Sequence, residues 1–551
     1  MSRHAGGSSA PTADSPTTPA GGSEKIVAPS GREWATLGIL ATGLGMIVLD
    51  GTIVGVALPD IIKDLKMDLT DAQWVNSLYA VLLAALLLSS GNLADRWGRR
   101  RLFQTGLIIF VGGSMLAAAG ATTGTLLAAR AVQAVGAACI MPSTLSTVNA
   151  IFRGKYRAAA FGVWGAVISG AAAIGPLIGG ALTQYASWRW IFWVNVPIGV
   201  ILFVLTYLVV PETRGVTKSG ADLVGVGLSA VGLGALVFSI IEGPTLGWWT
   251  PIGELKLAGL TWGKDAPISP IPVTLTVAVI ALAGFLLWEH HRGKVGRPAV
   301  LELGLFRLPT FSWGNLTAAM VAVGEFAILF VLPLFLVNAR GFDVMDSGFV
   351  LAGMAAGAFL SGAAARHLAA KLGSPGTVIL GLSLEVIGIV VLALILTPTL
   401  NGWIIAAPLV LYGLGLGLAS AQLTGTVLQD VPVEVSGEGS ATQSTVRQIG
   451  SAFGTAFAGG ALSITVALAV PRALEKVGIS SEKASQLADT TRLTGGTNLT
   501  QMRAKGADSA TLEALAHGFT DATTWALLTG AVFLVLGLIG AINLTLAARR
   551  H

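Results

Sequence analysis

Residues 74–101 read WVNSLYAVLLAALLLSSGNLADRWGRRR, and the break inside that stretch decides the fold. The apolar part, roughly 74–94, is as long as the approximately 20 residues that one helical crossing of a bilayer needs. It stops at a carboxylate, Asp95, followed by Arg96, Arg99, Arg100 and Arg101, side chains that belong in water at a membrane surface. The pattern recurs along the chain. Apolar runs stand at approximately 34–58, 74–94, 102–121, 125–150, 158–182, 189–210, 223–244, 270–288, 309–337, 348–369, 375–397, 404–428, 441–466 and 522–547, about fourteen crossings. Of 551 residues, 53% are hydrophobic and 11% charged, against roughly 25% charged in a soluble globular chain. The 71 glycines suit helices that pack closely in lipid, where no hydrophobic force draws them together. The expected fold is an all-α membrane protein.

Lysine and arginine set the orientation. With the N-terminus inside, the cytoplasmic segments hold about 20 of them and the short outer loops about 6. The clearest inner clusters are Arg96 to Arg101, then Arg153, Lys155 and Arg157, then Arg292, Lys294, Arg297 and Arg307. Both termini are expected in the cytoplasm, and the protein in the inner (plasma) membrane. Residues 1–33, rich in Ser, Thr, Pro, Gly and Ala without an apolar core, read as a disordered cytoplasmic tail and not a cleaved signal. Two six-helix bundles are expected at 34–210 and 309–547, with 211–308 supplying two inserted helices between them and 548–551 a short tail. A weak internal echo supports the halves, GNLADR at 91–96 against GAAARH at 362–367. The long outer loop at 467–521 shows helix-like pieces around 480–489 and 509–517, joined by a turn at Gly495-Gly496, and reads more as a tolerated insertion than as a shield. Pro333 in the ninth run predicts a kink or an interfacial end.

Three motifs carry chemistry. A carboxylate inside the first run, Asp50, costs about 2.5–3.5 kcal/mol on insertion scales, so it is read as functional. It lies about 16 residues from the inner end of its run, and Arg130 about 5 from the outer end of the fourth. At about 1.5 Å per residue the two sit at similar heights, which allows a salt bridge, direct or through Gln133. The fifth run carries Gly170, Gly175-Pro176 and Gly179-Gly180, small residues that let backbones touch around a bend. Other buried acids are Glu242, at the edge of its run, and Glu325 and Glu385, both deep. Glu325 falls in the run that matches the first in the half-repeat count, and so is expected at the central cavity.

These residues resemble the signatures of the major facilitator superfamily, over roughly 34–210 and 309–466. Residues 91–101, GNLADRWGRRR, resemble its loop 2–3 motif. The resemblance implies a gating role for Gly91, Asp95, Arg96, Gly98 and Arg99, which would hold the two halves together on the cytoplasmic side in the outward-open state. Residues 49–59, LDGTIVGVALP, look like the helix 1 signature of the fourteen-helix drug:proton antiporter family, with Gly55 where that family usually has asparagine. Residues 130–136, RAVQAVG, resemble the helix 4 motif linked to proton coupling, with Ala134 for a usual glycine. Residues 175–180, GPLIGG, followed by WRWIFWVNVP at 188–197, resemble the antiporter motif of the exporting branch. Gly175, Pro176, Gly179 and Gly180 thereby join the gating set, although Ala171 stands where glycine is usual. Residues 445–450, TVRQIG, look like the same family.

The resemblance implies a proton-coupled antiporter that exports hydrophobic, cationic drugs or toxic compounds. Asp50, Arg130 and Gln133 would couple protons; Glu325, Glu385, Phe326 and Phe330 would bind substrate. A carboxylate that can hold either a proton or a cation makes the two compete, which exchange requires. The alternative is a dedicated exporter of one metabolite, such as an amino acid, polyamine or lipid precursor. A pump is disfavoured because no Gly-x-x-x-x-Gly-Lys-Ser/Thr loop occurs. An intramembrane enzyme is disfavoured because His4, His290, His291, His367, His517 and His551 fall in tails, loops or run ends. No filter-like sequence suggests a channel. The single cysteine, Cys139, offers no intrachain disulfide, and a net charge of +5 is no nucleic-acid signal. A monomer is expected, with no cofactor or metal and the proton gradient as its energy source.

Overall fold

The computed structural model describes residues 28–152, 155–214, 222–257, 260–297, 301, 303–432 and 436–548. Helices α1 (Gly31–Leu65), α2 (Leu69–Trp97), α3 (Arg99–Ala119), α4 (Thr123–Ile151) and α5 (Lys155–Tyr185) follow one another through short turns. Next comes α6 (Trp190–Val209), interrupted at Val194. The link to the second bundle holds α7 (Leu223–Leu246), an antiparallel hairpin of β1 (Leu255–Leu257) and β2 (Leu260–Trp262), and α8 (Pro270–Lys294). The hairpin is the one local departure from the expected all-α fold among the described residues. α9 (Pro309–Leu334) ends in a π-helical turn, Phe335–Ala339, where Pro333 withdraws a backbone donor. A helical run from Val344 to Ile395 is divided at Gly373, whose φ of 74° and ψ of 160° no helix allows. Its parts are α10 (344–372) and α11 (374–395). The chain then forms α12 (Gly402–Val427), α13 (Ser436–Lys476), the short α14 (Ser481–Leu493) and α15 (Thr497–Ala504), and α16 (Ser509–Ala548).

Eleven of these stretches are long and apolar enough to cross a membrane. One of them is the divided run, and α2 and α5 are of spanning length too, which agrees with about fourteen crossings. Polar caps fix many of the ends: Ser30 and Glu33 form a capping box at α1, Asp68 and Asp71 at α2, and Asn401 accepts from the Trp403 amide at α12. α13 runs ten residues beyond its apolar run, and α16 begins well before its own, so the piece expected at 509–517 is the first part of the last crossing. Hydropathy marks where a helix meets lipid. It does not mark where the helix ends.

α1 to α6 pack as one bundle, and α9 to α13 with α16 as a second. α9 is central to the second, with nearly every residue from Val321 to Leu334 buried. α7 and α8 pair with each other, and α7 lies against α2 and α13, where the bundles meet. α8 turns Val277, Val279, Ile280 and Leu287 outward, as a lipid-facing helix does. We call the side where α1 begins and α16 ends the terminal face, and the opposite side the loop face.

The bundles touch in the half nearer the loop face. A Cβ on Gly180 of α5 would stand 3.1 Å from the Val344 carbonyl and 3.2 Å from Met345 Cα, at the start of α10. Gly348 approaches the Pro176 carbonyl, Gly55 the Leu329 carbonyl, and Gly459 the Gln73 side chain. Ser77 of α2 donates to the Ala452 carbonyl of α13, 3.3 Å away. The α14–α15 insertion covers this closure. Gly495 rests against Leu69, Ile62 and Leu334, while Asn338 donates to the Gly495 carbonyl at 3.1 Å. The insertion therefore contacts both bundles.

Candidate functional site

In the first bundle, five helices converge on one carboxylate. Asp50 of α1 and Arg130 of α4 are each 1% exposed and pair directly. The other Asp50 oxygen accepts from Gln133 Nε2 at 3.0 Å and from Asn195 Nδ2 of α6 at 2.9 Å. Ser114 of α3 accepts from the same two amides, at 2.8 and 3.2 Å. Arg130 also donates to Gln133 Oε1 at 2.9 Å and to the Val75 carbonyl of α2 at 3.2 Å, and its guanidinium lies 4.2 Å from the Tyr79 ring centroid. A buried ion pair survives only when its remaining donors and acceptors are satisfied, and here Asp50 is met by three donors. That arrangement holds the ionised carboxylate.

The depth argument thus holds, and Arg130 meets Asp50 both directly and through Gln133. Sequence reasoning missed Ser114, Tyr79 and the part played by Asn195. Asn195 lay within the quoted WRWIFWVNVP stretch, so the signal was present without a role attached.

The second bundle holds its acids differently. Glu325 of α9 pairs with Arg447 Nη2 of α13 at 3.0 Å. The Arg447 side chain is 45% exposed, that of Glu325 12%. Glu385 of α11 is fully buried, and neither of its oxygens has a hydrogen-bond partner among the described residues. The Tyr412 hydroxyl of α12 is buried and unpartnered too. Phe326 is half-buried beside Glu325, whereas Phe330 is sealed in the core. Glu242, read as interfacial, accepts from the Trp74 indole at 3.1 Å and Thr245 at 3.0 Å, tying α7 to α2.

The gating residues divide by location. Gly175 faces Thr52, Gly179 faces Ile53, and Gly180 with Pro176 meets α10, so the motif bears on α1 and on the second bundle at once. Ala171, not Gly170, takes the close contact with α1: a Cβ on Gly45 would lie 3.5 Å from it, while Gly170 faces open space. Gly55, where the resembled family has asparagine, abuts the Leu329 carbonyl: a Cβ there would stand 3.1 Å from it, so a longer side chain would press on α9.

At the terminal face, Gly98 adopts φ 118° with the Glu212 carboxylate against it. Glu212, just after α6, accepts from the Arg100 amide at 3.1 Å and lies 3.8 and 3.7 Å from the Arg100 and Arg101 guanidiniums. Arg99 donates to the Ser146 carbonyl at 3.0 Å. These named partners all belong to the first bundle. Gly91 packs near Pro142, and Arg96 is exposed. The Asp95 side chain, Arg153 and the side chains of Lys155 and Arg157 lie outside the described residues.

The profile of the Major Facilitator Superfamily matches residues 40–455. Multidrug resistance protein Stp of Mycobacterium tuberculosis (strain CDC 1551 / Oshkosh) is 31% identical over 443 residues, 80% of this chain and 78% of that one. The tetracenomycin C resistance and export protein of Streptomyces glaucescens is 28% identical over 430 residues, 78% of this chain and 76% of that one. Among solved structures, a bacterial homologue of the human lysosomal transporter Spinster, in an inward-facing and occupied conformation, superposes with a TM-score of 0.59. It is 18% identical, and the match covers 95% of this chain and 98% of that one.

Proposed function

Because the chain belongs to the major facilitator superfamily, whose members move small molecules across membranes, we propose that it exports drugs or other toxic, hydrophobic cations in exchange for protons. The observation that carries this reading is the buried Asp50–Arg130 pair with its Gln133 and Asn195 donors. A carboxylate so held inside an apolar bundle has two states, paired and protonated, and switching between them reorganises five helices. Relatives named for multidrug resistance and for resistance and export support the direction and the substrate class.

In this reading the terminal face is cytoplasmic, in keeping with its arginine clusters. The bundles meet near the loop face, so the state is inward-facing, ready to take substrate from the cytoplasm. The Arg99 to Arg101 cluster is then held within its own bundle, and it engages the second bundle when the terminal face closes. Glu325, with Phe326 beside it, takes the cationic substrate.

Ethidium transport by energised inverted membrane vesicles tests the coupling: an uncoupler should abolish it, and insensitivity to the uncoupler would sink the antiport claim. Asp50→Asn should abolish proton-driven transport while the protein still reaches the membrane; a fully active variant would exclude Asp50 as the carrier. Glu325→Gln should lower transport of the dication propidium more than that of ethidium, and equal losses would argue against charge balance at Glu325.

A further inference from the structure

The two bundles repeat one another at the level of backbone contacts. In the first, Gly136 of α4 meets Gly106 and Phe110 of α3, and Gly113 of α3 meets Gln133 and Ala129. In the second, Gly415 of α12 meets Gly381 and Glu385 of α11, and Gly388 of α11 meets Tyr412 and Pro408. Within each helix the spacings between these contact positions are the same in both. Ser90 and Ala138, joined by a hydrogen bond between α2 and α4, likewise match Ser361 and Gly417 between α10 and α12. This register puts Tyr412 at the place of Gln133. It puts Glu385 at the place of Phe110, one turn before the position that carries Ser114.

The second bundle therefore holds a carboxyl where the first holds a ring, and among the described residues no counter-charge is left for it. Arg447 is already engaged with Glu325. Among the described residues the charges near Glu385 are those two, from α13 and α9, and α12 brings Tyr412 into the same contact between helices. α16 packs on α11 through Gly530 and Gly537, and its Glu513, His517 and Asp521 lie near the loop face. A bare carboxylate without donors in such a place costs several kcal/mol or more, so the neutral acid is the form the site accommodates.

We propose that Glu385 is a second proton carrier, and that Arg447 switches between Glu325 and Glu385 to make substrate and proton exclude one another. The proposal rests on the reading that Glu325 takes the cation. When a cation pairs with Glu325, Arg447 is released and becomes the counter-ion of Glu385. The Glu385 O–H bond breaks, its electron pair stays on the carboxylate, and the proton leaves to water on the terminal side. One positive charge enters and one leaves, so the site's net charge is unchanged. The reverse sequence expels the cation.

The test uses the purified full-length protein and tetraphenylphosphonium as the probe, in weakly buffered detergent solution with a pH dye. Wild type should release about one proton per bound cation, and its affinity should fall about tenfold for each pH unit of acidification. Glu385→Gln should bind the cation with no release and a flat pH profile, and Glu385→Asp should restore both. Binding without release by wild type, or undiminished release by Glu385→Gln, overturns the proposal while leaving the cation reading intact. No binding at all sinks the cation reading and the Arg447 switch with it. The infrared spectrum decides the remaining part independently: wild type should show a protonated-carboxyl C=O band that Glu385→Gln loses, and its absence overturns a neutral Glu385.

Discussion

The two bundles share a backbone register but bury their acids by opposite means. In the first, Asp50 is enclosed by Arg130, Gln133 and Asn195, so each oxygen meets a donor. In the second, Glu325 has one partly exposed partner and Glu385 has none. A satisfied buried pair is a deep well that must be opened to work, whereas an unpartnered acid is poised to change state when a nearby charge moves. In the proposed exchange the first bundle would take the conformation-linked proton step and the second the substrate-linked one.

The sharpest way to break this comparison is to remove the arginine from each side. Arg130→Ala strands a fully buried carboxylate and should cost about 3–5 kcal/mol of stability, seen as a lowered thermal midpoint, with proton-driven transport lost. Arg447→Ala removes a half-exposed partner from a carboxylate that is itself partly solvent-accessible, and should cost less, about 1–3 kcal/mol. Equal destabilisation by the two would end the distinction. Tetraphenylphosphonium binding by Arg447→Ala is expected to lose its pH dependence while the fold persists.

A smaller effect tests the shared register itself. A Cβ at Gly136 would fall 2.8 Å from the Gly106 carbonyl, and one at Gly415 would fall 2.7 Å from the Glu385 amide. Gly136→Ala and Gly415→Ala should therefore each destabilise by about 1–3 kcal/mol through overpacking against backbone. Thermal unfolding of the two variants side by side checks this. If one substitution is silent, the bundles do not repeat at this contact.

How much of this was legible in the sequence follows from cost. Asp50 and Arg130 stood out because a charge inside an apolar run is expensive enough to be informative, and spacing along two helices then placed them level. The crossings were legible for the same reason. Ser114 and Asn195 were not, because neutral polar side chains in such helices often bond only their own backbone, as Thr144 does to the Ile140 carbonyl. Glu212 looked like an ordinary loop acid until the fold brought the end of α6 under Gly98. The echo at 91–96 and 362–367 was faint because the repeat is conveyed by glycine contacts between helices, which no single stretch displays. The ends of α13 and α16 were missed because polar residues leave lipid without leaving the helix.

Ser114→Ala should disturb the first bundle least and so probe it most finely. The Ser114 hydroxyl accepts from Gln133 and Asn195, the same two amides that donate to Asp50. It touches neither Asp50 nor Arg130 in any named bond, so its removal leaves the ion pair standing and costs about 1 kcal/mol. Its loss frees both amides to rotate, so they hold the ionised carboxylate less firmly. The pH profile of ethidium transport should then shift in position, with a maximal rate close to wild type. A profile unchanged in position would mean that Asp50 is held by Arg130 alone, and that the amides in the first bundle are packing rather than part of the proton step.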